Sequence, residues 1–149
     1  HKADAPLLET GQALFYQPPG VSPWGKMMSI GGKALLRYIT KLEPTEVDIK
    51  LDDGGLDLSP YGIQGRVIHT PGHSPGSVSI VLSSGEAFVG DSAMSALWMG
   101  KLQPGLPALA EDINQLKSSL RKLKAEGVTK IIPAHGMPFR AEVLWAKLD

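Results

Sequence analysis

Three short apolar runs, each handing one polar side chain to a turn of small residues and proline, constrain this chain more than any other feature. Gly65 to His69 leads into Thr70-Pro71-Gly72-His73-Ser74-Pro75-Gly76-Ser77, Ala87-Phe88-Val89-Gly90 leads into Asp91, and Val128 to Ile132 leads into Pro133-Ala134-His135-Gly136. Apolar runs of this length between Gly and Pro read as strands buried in a layered fold. Side chains placed at the exits of such strands can meet in one cleft. The architecture to expect is therefore a sheet with covering helices and a functional edge.

Composition narrows the chemistry. The chain has no cysteine, which removes disulfides and thiolate-bound metals and leaves histidine and carboxylates as ligands. Fifteen basic and fifteen acidic side chains cancel, so no overall field draws the molecule to nucleic acid or to an anionic membrane. No apolar stretch is long enough to cross a bilayer, and His1-Lys2-Ala3-Asp4-Ala5-Pro6 is not a signal peptide. These features lead to the expectation of a cytoplasmic protein. With 149 residues one domain is expected over 1–149.

The remaining elements follow from periodicity. Ala5 to Leu14 is read as a short helix, and Gln17 to Gly25 as a proline-rich loop anchored by Trp24. Ile30 to Leu42 has apolar residues at helical spacing and reads as an amphipathic helix. Val47, Ile49 and Leu51 alternate with Asp48 and Lys50, and Asp52-Asp53-Gly54-Gly55 then turns the chain into Leu56-Asp57-Leu58, which predicts a β-hairpin. Ser77 to Leu82 and Glu86 to Val89 read as strands joined by Ser83-Ser84-Gly85. Leu109, Ile113, Leu116, Leu120 and Leu123 form one stripe and predict a helix over Leu109 to Glu126, stopped by Gly127. A strand over Val128 to Ile132 and a helix over Arg140 to Leu148 complete the order.

Taken singly, His73 is equally a turn histidine, and Asp91 a helix cap or turn residue. Together with His135 they form a pattern. Thr70-Pro71-Gly72-His73-Ser74-Pro75-Gly76-Ser77, Gly90-Asp91 and Pro133-Ala134-His135-Gly136 resemble the third, fourth and fifth motifs of the metallo-β-lactamase superfamily. Asp91 lies 18 residues after His73, and His135 44 after Asp91, intervals of the kind found in that family.

The resemblance implies an α/β fold, in the α+β sense: part of a four-layer αβ/βα sandwich with a mixed sheet and covering helices. It also implies one or two metal ions, commonly zinc with iron or manganese as substitutes, that activate water for hydrolysis of an ester, thioester, lactone or related bond in a small-molecule substrate. By that analogy His73 is a ligand of the first ion, Asp91 the bridging carboxylate and His135 a ligand of the second. The second motif of the family, His-x-His-x-Asp-His, does not occur here. The chain therefore resembles the C-terminal portion of such a domain, with weak or absent metal binding and no hydrolysis expected of it alone. A sandwich half also predicts an uncovered apolar sheet face and homo-oligomers formed through it. The rival class is a non-catalytic binding or oligomerisation module on the same scaffold.

Other residues carry smaller expectations. His69, separated from His73 by a turn, is not expected among the ligands, and His1 reads as a strand residue. Met94, Leu97, Trp98 and Met99 read either as the wall of a substrate pocket or as packing beneath the helix that follows.

Overall fold

The structure, a computed structural model, describes residues 1–12, 16, 18–21, 23, 25–27, 29, 43–98 and 101–148, with backbone alone for 96–98 and 101–102. The helix expected over Ile30 to Leu42 lies outside the described residues, as do Trp24 and Met99.

The centre is a mixed sheet. In chain order its strands are β1 (Leu56–Asp57), β2 (Gly65–His69), β3 (Val78–Leu82), β4 (Glu86–Trp98), β5 (Lys101–Gly105), β6 (Lys130–Gly136) and β7 (Phe139–Arg140). They lie in the spatial order β1-β2-β3-β4-β6-β7, and β5 pairs with the far end of β4. All neighbours are antiparallel except β4 and β6, which run parallel from Glu86↔Lys130 to Ser95↔Gly136. That pairing needs a crossover, and α2 (Ile113–Ala125) supplies it. Two short helices, α1 (Ala5–Glu9) and α3 (Glu142–Trp145), flank the chain ends.

One face of the sheet is covered. Val81, Ala87, Val89 and Ile131 are buried against Leu116, Leu120 and Leu123 of α2 and against Leu144 and Trp145. The leucine stripe read from the sequence is this contact; each fully buried leucine contributes roughly 1.5–3 kcal/mol of burial free energy. The helix begins later than the stripe suggests, at Asp112, whose carboxylate accepts the amide protons of Asn114 and Gln115 at 2.8 and 2.9 Å. Such a cap fixes the first turn. At the other end Gly127 takes a left-handed conformation, φ 77°, as a helix stop requires.

The opposite face is apolar and, among the described residues, partly exposed. Leu56, Val67, Ile80, Phe88 and Ile132 are successive cross-strand partners from β1 to β6 and so share that face. Ile80 and Phe88 are 36% and 44% exposed.

Several expectations need correction. Val47 to Leu51 is not the arm of a hairpin: it joins no ladder, Ile49 is exposed, and the Leu51 carbonyl accepts from Lys2. The turn at Asp52 to Gly55 does form, closed by Asp52, but its return arm pairs with β2, Leu56 opposite Val67. Residues 23, 25–27 and 29 are helical, where a loop was expected through Gly25. Helix α1 stops at Glu9, ahead of Gly11 with φ 68°. The last helix covers Glu142–Trp145 alone. Strand β4 does not end at Val89 but runs on to Trp98, and β5, which the sequence reading lacked, pairs with that extension.

Candidate metal centre

Helix α2 acts as a ruler along which the Thr70 to Ser77 turn is laid. Lys122 donates to the His69 carbonyl at 3.1 Å, and Ser119 to the Pro71 carbonyl at 2.7 Å. One turn earlier, Gly72 lies so close to Leu116 that a Cβ there would sit 2.3 Å from its backbone nitrogen. At the N-terminus of the helix, the amides of Asp112 and Glu111 donate to the carbonyls of Gly72 and His73. These contacts fall at three- and four-residue steps, the spacing of one helix face.

The other side of the turn is held by Asp4, whose carboxylate accepts from the Ser74 hydroxyl and the Gly76 amide. Thr70 is fully buried, its hydroxyl bonded to that of Ser79 at 2.8 Å. Tyr16 donates to Glu111 at 2.8 Å; burial and that carboxylate push its hydroxyl well above the usual phenol range, which keeps it a donor.

His73 is thus fixed in position, and also in tautomer. The Leu109 carbonyl accepts from its Nδ1 at 2.9 Å, which leaves Nε2 as the free lone pair of the neutral ring. That atom faces Asp91 Oδ2 at 3.8 Å, while His135 Nε2 faces the other oxygen, Oδ1, at 3.4 Å. The structure therefore brings together all three residues singled out in the sequence. Each oxygen of one carboxylate addresses a different imidazole. Asp91 Oδ1 is buried and accepts no hydrogen bond from the described residues, a costly condition for a carboxylate oxygen unless a cation supplies the compensation.

Asp91 reaches this position from within a strand, not from its exit. The β4–β6 register shifts between Phe88 and Gly90 and again between Gly90 and Met94, and Gly90 adopts φ 54°. A bulge at this point re-aims the side chain. His135 likewise lies inside β6, opposite Met94, and its side chain is 73% exposed.

The trio opens into a cleft of about 470 Å³, walled by Ala93, Met94, Pro107, Ala108 and Leu109. Of the methionine-rich segment, Met94 lines this cleft; the side chains of Leu97, Trp98 and Met99 lie outside the described residues. Asp4, Ser119 and Lys122 were missed as supports of the site, because each acts from a distant part of the sequence.

A second group, which the sequence reading did not assemble, consists of His1, Asp53 and His69. His1 Nε2 and His69 Nδ1 lie 3.1 and 2.9 Å from Asp53 Oδ1. No local spacing announces it; the partners come from three separate segments.

Among solved structures, an archaeal metallo-β-lactamase superfamily protein from Sulfolobus tokodaii matches 85% of this chain at 23% identity, with a TM-score of 0.56. A metallo-β-lactamase from Pontibacter korlensis matches 77% at 20% identity and 0.51, and the BLEG-1 B3 metallo-β-lactamase 74% at 22% and 0.50. The matches cover 51%, 52% and 53% of those chains, so this chain spans about half their length. No protein-family model and no curated protein matches the sequence. The chain has the metallo-β-lactamase fold, with a mixed seven-stranded sheet, as the sequence motifs implied. Among the described residues no helix is long and apolar enough to cross a membrane.

Proposed function

We propose that this chain is part of a metal-dependent hydrolase, in which His73, Asp91 and His135 hold the metal and the apolar wall beside them receives a small-molecule ester, thioester, lactone or related substrate. The observation that carries the reading is the Asp91 carboxylate held between two imidazoles, its buried Oδ1 accepting no hydrogen bond from the described residues. Neutral imidazoles and a carboxylate suit zinc, with iron or manganese as alternatives. A bound ion of this kind lowers the pKa of water toward neutrality and polarises a carbonyl.

The chain's own residues do the rest. The Leu109 carbonyl holds the His73 ring with Nε2 toward the cleft, Asp91 sets the separation of the two imidazoles, and Met94, Pro107 and Leu109 exclude water around an apolar acyl group. With Asp91 shared, each of two ions keeps only two ligands from this chain, His73 and Asp91 or Asp91 and His135, so weak binding and no hydrolysis are expected of it alone.

The test pairs two preparations. Protein translated from the whole reading frame, loaded with zinc, is expected to hydrolyse at least one of a thioester, an ester and a lactone, and Asp91→Asn to abolish that. Asp91→Asn in this chain is expected to weaken zinc binding at the cleft at least about 100-fold, the upper range of what even an outer-shell partner costs. A reading frame without an upstream His-x-His-x-Asp-His, and a protein inert toward all three substrates, would favour a binding module instead.

We also propose that the open sheet face joins two copies of this chain. A continuous apolar row from Leu56 to Ile132, with Ile80 and Phe88 exposed at its middle, is the kind of patch that marks an association surface. Phe88→Lys places a charge there without touching the covered face. By analytical ultracentrifugation it is expected to turn a dimer into a monomer at the same concentration, and to remove the concentration dependence of the urea midpoint that a dimer shows; a wild-type chain that stays monomeric at high concentration contradicts the proposal.

A further inference from the structure

We propose that His1, Asp53 and His69 form a second divalent-cation site, of the borderline class to which zinc belongs, separate from the cleft and independent of the hydrolase reading. The argument begins with proton bookkeeping at His69. Its Nε2 lies 2.8 Å from the Pro75 carbonyl and must donate to it, so in the neutral ring Nδ1 carries a lone pair. That lone pair faces Asp53 Oδ1 at 2.9 Å. Two acceptors at this distance repel unless a positive centre lies between them.

His1 brings a second ligand atom to the same oxygen. Its ring stacks on the ring of His69, centroids 3.8 Å apart and planes 8° from parallel, and its Nε2 faces the same Asp53 oxygen at 3.1 Å. A metal lies in the plane of each imidazole it binds, so one cation shared by both rings and the carboxylate would tilt the rings out of this stack; the three ligand atoms already lie within 4.8 Å of one another.

The surroundings are those of a metal-bound histidine. The Pro75 carbonyl fixes the tautomer and orientation of His69. The His1 and His69 side chains are 3% and 15% exposed, whereas Asp53 is 77% exposed, so the carboxylate side is open for ion entry and for a water as fourth ligand. Binding displaces any proton on His69 Nδ1 to solvent and moves the His1 proton from Nε2 to Nδ1, at the expense of the long 3.3 Å contact from the Ala3 amide. Such an ion would clamp the first residues of the chain, the Asp52 to Gly55 turn and the end of β2, immediately before the turn that carries His73.

The experiment uses this chain with Asp91→Asn, which silences the cleft. Titration with zinc by calorimetry, and with cobalt(II) by visible absorption, is expected to show one equivalent bound with the intense bands of a four-coordinate site. Adding Asp53→Asn, at an exposed position that does not threaten the fold, is expected to weaken binding at least about 100-fold, and His69→Ala to do the same. Absence of zinc and cobalt binding in the Asp91→Asn chain would overturn the proposal, since a proton alone would then fill the gap. So would one equivalent that survives both Asp53→Asn and His69→Ala, which would place the ion elsewhere.

Discussion

Gly136→Ala is expected to lower the unfolding free energy by about 2–5 kcal/mol, combining backbone strain with overpacking, and to loosen His135 in the same step. Gly136 has φ 99°, where a side chain is strained whatever the space around it. Space is also lacking: a Cβ would lie 1.9 Å from the Ser95 carbonyl oxygen and 2.6 Å from its carbon. Both are backbone atoms of the paired strand, Ser95 standing opposite Gly136 in the β4–β6 ladder, so no side-chain rotation relieves the contact. The strands must separate where the ladder passes the candidate metal centre. Urea unfolding measures the first effect. Zinc affinity at the cleft measures the second, with a fall of roughly tenfold expected from a displaced ligand of the kind that outer-shell changes produce.

The same ladder shows what a sequence reveals and what it hides. His73, Asp91 and His135 were legible because each follows a run of apolar residues and stands beside Gly or Pro, and the structure draws them within 3.8 Å of a shared carboxylate. The Leu116, Leu120 and Leu123 stripe was legible for a similar reason, since a helical period records one face. Strand β4 was cut short because Ser92-Ala93-Met94-Ser95-Ala96 has neither alternation nor β-branched residues, and its place is set by β5 and β6 and not by its own preference. Pro104 concealed β5, although a strand whose pairing partner is β4 alone accommodates proline on its free edge. Val47, Ile49 and Leu51 alternate as a strand should. Alternation alone supplies no partner, and β1 found a better one in β2.

The largest effect expected away from the site is that of Leu120→Ala, about 2–5 kcal/mol by equilibrium unfolding. Leu120 is wholly buried in the layer between α2 and the sheet, in one cluster with Leu116, Leu123, Val89, Ile131 and Leu144. Truncation removes three carbons from that layer, and the backbone cannot close the gap because α2 is pinned on either side. Ser119 holds the Pro71 carbonyl and Lys122 the His69 carbonyl, so a shift of the helix toward the sheet would break the contacts that position His73. The cavity term therefore persists in full, and the cost belongs in the upper half of the range. The urea midpoint should fall with the slope unchanged, the signature of lost stability in an otherwise intact fold. Val143→Ala, on the half-exposed side of α3, is the matched control and is expected to stay within about 0.5 kcal/mol of the wild type. Equal losses from the two substitutions would mean that the leucine layer is not what holds α2 on the sheet, and with it the turn that carries His73.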